Sequence, residues 1–197
     1  MANTEAMELS VGENKYSKNI RTQITRLNSL MQNLLTLSKS DEMYGDYKNE
    51  EFCISDLAVK TVSMFSEAME LKKLKYSFDI IPDIRITSNK EMLSNVISIL
   101  TDNAVQYAKE EGFVSVKLIK KDKTTELSIS NNCESLPQCE AEKLFDRFYR
   151  EDKARTQKNG GSGIGLSAAQ SIVNSLGGEI KAEYLPENVI KFTVVIQ

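Results

Sequence analysis

Between residues 14 and 42 the apolar positions Ile20, Ile24, Leu27, Met31 and Leu34 recur at alternating spacings of four and three, with no proline or glycine between them. Such spacing predicts a helix with a heptad seam. It fits either an amphipathic helix lying on its own domain or one half of an antiparallel hairpin in a dimerising bundle. Met1 to Leu9 is compatible with the end of a preceding helix and Val11-Gly12-Glu13-Asn14 with the connection. The period breaks at Gly45 and the polar residues around it, which predicts a linker over 43–50 and a second unit over 51–197.

In that second unit the pattern changes character. Phe52 to Ile54 suggests a short strand, with Ser55 as N-cap of a helix running to about Leu71. Alternation in Tyr76, Phe78 and Ile80 predicts a strand, followed by a Pro82-Asp83 turn, a strand at 84–87, and a long helix capped by Asn89 and reaching about Lys109. Strands are predicted at 115–119 and 126–130 across a charged turn, a helix from Glu140, a polar segment over 151–161, a helix over 164–176, and strands at 179–184 and 190–196. Strands on one side and helices on the other predict a two-layer α/β sandwich with a mixed, mainly antiparallel sheet and helices on one face, preceded by the N-terminal α-helical segment.

Composition narrows the function. The chain has 197 residues, 41% hydrophobic and 27% charged, the balance of a soluble globular protein. No apolar run approaches the roughly 20 residues a bilayer requires and no signal peptide is evident, so no membrane contact is expected. A net charge of −3 argues against nucleic acid as partner. Three cysteines without a CxxC unit indicate neither a disulfide framework nor a zinc site, and fit a cytoplasmic setting. The absence of histidine excludes Ser-His-Asp and Cys-His catalysis.

Three segments carry candidate chemistry. Glycines crowd in Gly160-Gly161-Ser162-Gly163-Ile164-Gly165-Leu166 just before a helix, where bare backbone and unpaired N–H groups can meet a phosphate; such turns also serve as hinges. No Lys-Ser/Thr follows, so this is not a Walker A loop, and the polar preceding segment argues against a dinucleotide fingerprint. On the long helix Asn103, Gln106 and Tyr107 lie three and four apart, able to converge on one ligand. Asn103 could give Mg²⁺ one hard oxygen beside nucleotide phosphates, or be simply a solvated helix residue. Leu144 to Arg150 places Phe145 and Phe148 ahead of a loop carrying Lys153, Arg155 and Lys158, either a pinned cationic lid or a solvated basic loop.

In this order the segments resemble the N box (Asn103, Tyr107), F box (Phe145, Phe148) and second glycine box (Gly161-x-Gly163-x-Gly165) of the sensor histidine kinases of two-component systems. Gly177-Gly178 matches the usual continuation, and residues 21–41, with Arg26-Leu27 and Leu34-Leu35-x-Leu37-Ser38, resemble the second helix of the dimerisation and phosphotransfer hairpin. The resemblance implies the ATP fold shared with gyrase-type ATPases and binding of ATP and Mg²⁺. Asn103 would lie on the metal, Tyr107 near adenine, Arg150 and Lys153 at phosphates, and Gly161, Gly163, Ile164, Gly165 and Leu166 flanking them. It further implies that 1–42 is a remnant of the hairpin without its phosphoacceptor histidine. The partners would be that hairpin and a response regulator, and the full-length protein would be a homodimeric membrane sensor with this part in the cytoplasm.

Two departures stand out. Where the family has Asp-x-Gly-x-Gly, this chain reads Asn131-Asn132-Cys133-Glu134-Ser135. An amide oxygen can still accept from adenine, as a weaker acceptor than a carboxylate. Ile99 stands four residues before Asn103, where related ATPases place a glutamate, which disfavours hydrolysis. Gln106 also replaces a frequent Lys or His. The resulting expectation is a histidine kinase catalytic domain; the alternatives are a catalytically weak pseudokinase that binds nucleotide or only docks partners, and a gyrase-type ATPase.

Overall fold

The computed structural model describes residues 49–149 and 163–197. The predicted hairpin remnant and nearly all of the linker lie outside these residues.

Strand β1 (Glu50–Cys53) leads into helices α1 (Ile54–Ser63) and α2 (Ser66–Leu71), then strands β2 (Lys75–Ile80) and β3 (Arg85–Ser88). Helix α3 (Lys90–Tyr107) follows, then β4 (Phe113–Lys121), β5 (Thr124–Asn132), a single 3-10 turn (Ala141–Phe145), α4 (Gly165–Ser175), β6 (Glu179–Leu185) and β7 (Val189–Ile196). Five strands form one sheet in the order β2-β4-β5-β7-β6, parallel between β2 and β4 and antiparallel elsewhere. The short β1 and β3 pair antiparallel in a sheet of their own, which alternation alone did not separate from the main one.

The sandwich follows from period two meeting period 3.6. Val114, Val116 and Leu118 of β4, Leu127 and Ile129 of β5, and Phe192 and Val194 of β7 are buried on one face, while the alternate residues, Asn132 at the end of β5 excepted, are not. Val96, Ile97, Leu100 and Ala104 of α3 and Ala169, Ile172 and Val173 of α4 cover that face. Each buried Val, Leu, Ile or Phe among them contributes about 1.5–3 kcal/mol by leaving water. Helix α3 starts where the Asn89 side chain accepts from the Met92 N–H at 2.9 Å, as predicted.

Four local expectations are corrected. Ser55 is not a cap: it lies in the first turn of α1, buried, and its hydroxyl donates to Ile81 O (2.7 Å) and accepts from the Ile84 N–H (3.1 Å), tying the helix to the β2–β3 connection. The helix expected through Leu71 breaks, because Met64 and Phe65 donate to Thr61 and Val62 in tighter i−3 bonds before α2 begins. The helix expected from Glu140 is only the 3-10 turn. Helix α3 ends at Tyr107, with Ala108 already extended at ψ 136°.

Candidate functional site

Helices α3 and α4 meet at the start of the glycine-rich helix. Half-buried Ile99 packs on Ile164 and Ala168, and a Cβ at Gly165 would lie 3.4 Å from Ile99 Cγ2. The side chain that departs from the glutamate of related ATPases is thus an apolar seal between the two helices. Helix α4 begins behind Ile164 without any side-chain cap. Its first-turn N–H groups have no intrahelical acceptor and carry the positive end of the helix dipole. Asn103 lies one turn beyond Ile99 on the same face of α3, half-buried, followed by half-buried Gln106 and exposed Tyr107. Through Ile99 the fold sets α3, the helix that carries the polar cluster, against the start of the glycine-rich helix, which is distant in sequence.

The amide-rich end of β5 separates into two roles. Asn132 is structural: its Oδ1 accepts from the Phe113 N–H at 2.8 Å, its backbone oxygen accepts from the Lys109 N–H at 3.0 Å, and a Cβ at Gly112 would clash with its Oδ1. Asn131 is different. Only 1% exposed, it continues the Leu127–Ile129 face covered by α3; its Nδ2 donates to Cys133 Sγ at 3.3 Å, while its Oδ1 is buried with no hydrogen-bond partner. A buried acceptor left unmade costs about 1–3 kcal/mol, and a donor-bearing ligand would recover it.

The F-box-like residues divide as well. Phe145 is buried edge-on against Phe192, with ring centroids 6.1 Å apart, and belongs to the core. Phe148 is 68% exposed and holds φ at +64°. Its N–H donates to Gly163 O at 2.8 Å, and Gly163 itself has φ +69°. Ile164 is buried and Leu166 packs on the core, so what these two positions can offer a phosphate is backbone. Arg150, Lys153 and Gly161 lie outside the described residues.

One supporting residue was missed from sequence. The Lys72 ammonium donates to the carbonyls of Val105 (2.8 Å) and Gln106 (2.7 Å), with Ala108 O at 3.5 Å, and so closes the end of α3 that carries Gln106 and Tyr107. Burial pulls its pKa below the ordinary lysine value, and the charge of Glu110 opposes that shift. The only signal was a lysine just past the end of a short helix, and a long helix whose own last turn has no basic residue.

The family described as histidine kinase-, DNA gyrase B- and HSP90-like ATPases matches residues 88–197. The chain is 27% identical to the signal transduction histidine-protein kinase BaeS of Escherichia coli K12, over 89% of this chain and 38% of that protein. It is 31% identical to the sensor histidine kinase WalK of Bacillus subtilis 168, over 83% of this chain and 27% of that protein. The chain therefore spans roughly a third of these relatives. Among solved structures, the catalytic domain of histidine kinase ThkA superposes with TM-score 0.66 at 24% identity, covering 76% of this chain and 97% of that one. Full-length ShkA in complex with AMPPNP superposes with TM-score 0.76 at 17% identity, covering 92% of this chain and 38% of that one. At these identities the two structures establish the fold. Among the described residues no helix is long and apolar enough to cross a membrane.

Proposed function

Because the chain belongs to the histidine kinase-, DNA gyrase B- and HSP90-like ATPase family, we propose that residues 51–197 bind Mg·ATP and donate its γ-phosphoryl group to a histidine of a sensor kinase hairpin. The observation that carries this reading is the buried, unpartnered Oδ1 of Asn131, an acceptor suited to the adenine amino group. Tyr107 flanks the base, and the uncapped start of α4, with the backbone of Gly163, Ile164, Gly165 and Leu166, receives phosphate oxygens. Gln106, Phe148, Arg150, Lys153 and Gly161 complete the nucleotide's surroundings.

Asn103 fits a divalent ion in this setting: its amide oxygen is a hard donor on a half-exposed side chain, one turn along α3 from Ile99, which packs on the start of α4. Bound there with the nucleotide, Mg²⁺ supplies neutralisation of phosphate charge. The chain's own residues hold and orient the triphosphate, and Ile99 keeps a proton-accepting group away from the place where water would be activated. In the transfer the bond between the γ-phosphorus and the β,γ-bridging oxygen breaks, a phosphorus–nitrogen bond forms, and ADP leaves. The chain holds no histidine, so the acceptor lies on another polypeptide segment.

On this reading residues 1–42 belong to the dimerisation hairpin, 43–50 link it to the catalytic unit, and the full-length protein is a homodimeric membrane sensor with this part in the cytoplasm. A solved ThkA structure is described as a complex with the response regulator TrrA. By analogy a response regulator receives the phosphoryl group here. The test is calorimetric titration with ADP and a non-hydrolysable ATP analogue, with and without Mg²⁺, on the chain and its Asn131→Leu variant, followed by transfer to a supplied histidine-containing hairpin. Binding that depends on Asn131, followed by transfer, supports the kinase. Absence of binding at millimolar nucleotide leaves only a docking module.

A further inference from the structure

Strand β2 is an edge of the main sheet, and among the described residues nothing pairs with its outer side. Every one of its residues from Lys75 to Asp79 is exposed. The backbone phase of that edge is fixed by its pairing with β4. Lys75 donates to Gly112 O at 2.8 Å and Ile81 to Leu118 O at 3.0 Å, so the odd-numbered residues turn their N–H and C=O groups toward β4. By alternation Tyr76 and Phe78 turn theirs outward. Their side chains share the helix-side face, since they pair with the buried Val114 and Val116, yet they remain 45% and 38% exposed and stack on one another at 5.6 Å. Long exposed strands with outward backbone groups and apolar side chains readily pair with another chain.

The sequence of this edge reads the same way in both directions in chemical terms. Lys75-Tyr76-Ser77-Phe78-Asp79, laid antiparallel on itself about Ser77, sets Lys75 opposite Asp79, Tyr76 opposite Phe78, and Ser77 opposite Ser77. In this register opposed residues lie on the same face of the joined sheet. The outward groups of Tyr76 and Phe78 then form hydrogen-bonded pairs, and Ser77 falls at a non-hydrogen-bonded pair on the two-fold axis. Both ends carry opposite charges, with Lys75 of one copy joining the exposed Asp79–Lys117 ion pair (2.9 Å) of the other, and aromatic cross-strand pairs cover the exposed rings. A shift by two residues would lose this: it would put Ser77 opposite Asp79 and leave Lys75 without an acidic counterpart in the strand.

We propose that the β2 edge is an isologous interface for a second copy of this chain, joining two five-stranded sheets into one across a two-fold axis at Ser77. The strand does not include residues 20–34, whose spacing predicts a heptad seam, and the proposal does not depend on nucleotide binding.

The test is disulfide trapping in the full 197-residue chain, with the unmodified chain as background for its own three cysteines. At a non-hydrogen-bonded pair the two Cα atoms lie about 4.5 Å apart, within the range a disulfide accepts. Ser77→Cys should therefore form covalent dimers in oxidised glutathione about tenfold faster than Lys181→Cys on the opposite edge strand β6. Adding Lys75→Asp or Asp79→Lys, which sets like charges opposite each other at both ends, should slow trapping by about tenfold. An equimolar mixture of those two variants should recover it, because Asp then faces Lys at both ends. Equal rates at positions 77 and 181, as expected of dimers held only elsewhere, would overturn the proposal. Failure of the mixture to recover would overturn it as well.

Discussion

The Phe148 N–H donates to the Gly163 carbonyl at 2.8 Å, and both residues hold left-handed backbone, with φ of +64° and +69°. This bond joins the end of the F-box-like segment to the start of the glycine-rich helix. A Cβ at position 163 would lie 3.0 Å from both Phe148 C and Tyr149 O. The contact is with backbone and cannot be relieved by a rotamer change. Gly163→Ala should cost about 1–2 kcal/mol from the left-handed conformation alone. It should lower the melting temperature by a few degrees and, by shifting the start of α4, weaken ADP about tenfold. Unchanged melting and unchanged affinity would show that the Phe148–Gly163 junction positions nothing.

Asn131 separates stability from function. Its unpartnered Oδ1 costs the folded chain while no ligand satisfies it, so Asn131→Leu should leave the melting temperature without nucleotide equal or slightly higher. The same change should weaken ADP about tenfold, the worth of one buried hydrogen bond to the base. Asn131→Asp should do the reverse: a carboxylate buried there destabilises the empty protein at neutral pH, while nucleotide binds more tightly through a charged acceptor. Calorimetry and thermal melting on the three chains decide it, and equal ADP affinities throughout would remove Asn131 from the site.

Much of this was legible because it rests on periodicity. The alternation of β4, β5 and β7, the Asn89 cap and the glycine-rich start of α4 are local signals, and the structure realises them. What was illegible depends on tertiary partners. Ser55 has the composition of a cap, but two backbone groups near Pro82 claim its hydroxyl from 26 and 29 residues away. The neighbouring amides Asn131 and Asn132 look alike in sequence. Strand alternation and the close approach of Gly112 make Asn132 a structural acceptor and leave Asn131 with unused capacity. Ile99 read as a missing general base, and only the packing of α4 shows the apolar contact it makes instead.

Asn103 should behave as a ligand residue rather than a structural one. It sits half-exposed inside α3, where alanine is the better helix former, so Asn103→Ala should leave melting unchanged or raise it by a few tenths of a kcal/mol. Loss of its amide oxygen should abolish the part of ADP affinity that depends on Mg²⁺ and spare the part measured in chelator. Titrations with and without the metal check this, and an unaltered magnesium dependence would place the ion on other residues.

Lys72 supplies the pH dependence. Its ammonium satisfies carbonyls of the last turn of α3, so Lys72→Met should destabilise the chain by about 1–3 kcal/mol, as for hydrogen bonds made by a charged donor, and loosen the end of the helix that carries Gln106 and Tyr107. Burial lowers the folded-state pKa below the ordinary 10.5. Between that lowered value and 10.5 the unfolded chain binds the proton and the folded chain does not, so stability contributed by this group rises with pH across the window. Below the window, with both states protonated, the cost of burying the charge is present in full. The stability gap between the native chain and Lys72→Met should therefore widen as pH is raised toward 10.5, measured by denaturant unfolding at several pH values. A gap that narrowed instead would mean that the carbonyls hold the ammonium more strongly than burial opposes it, and the pKa would then lie above 10.5.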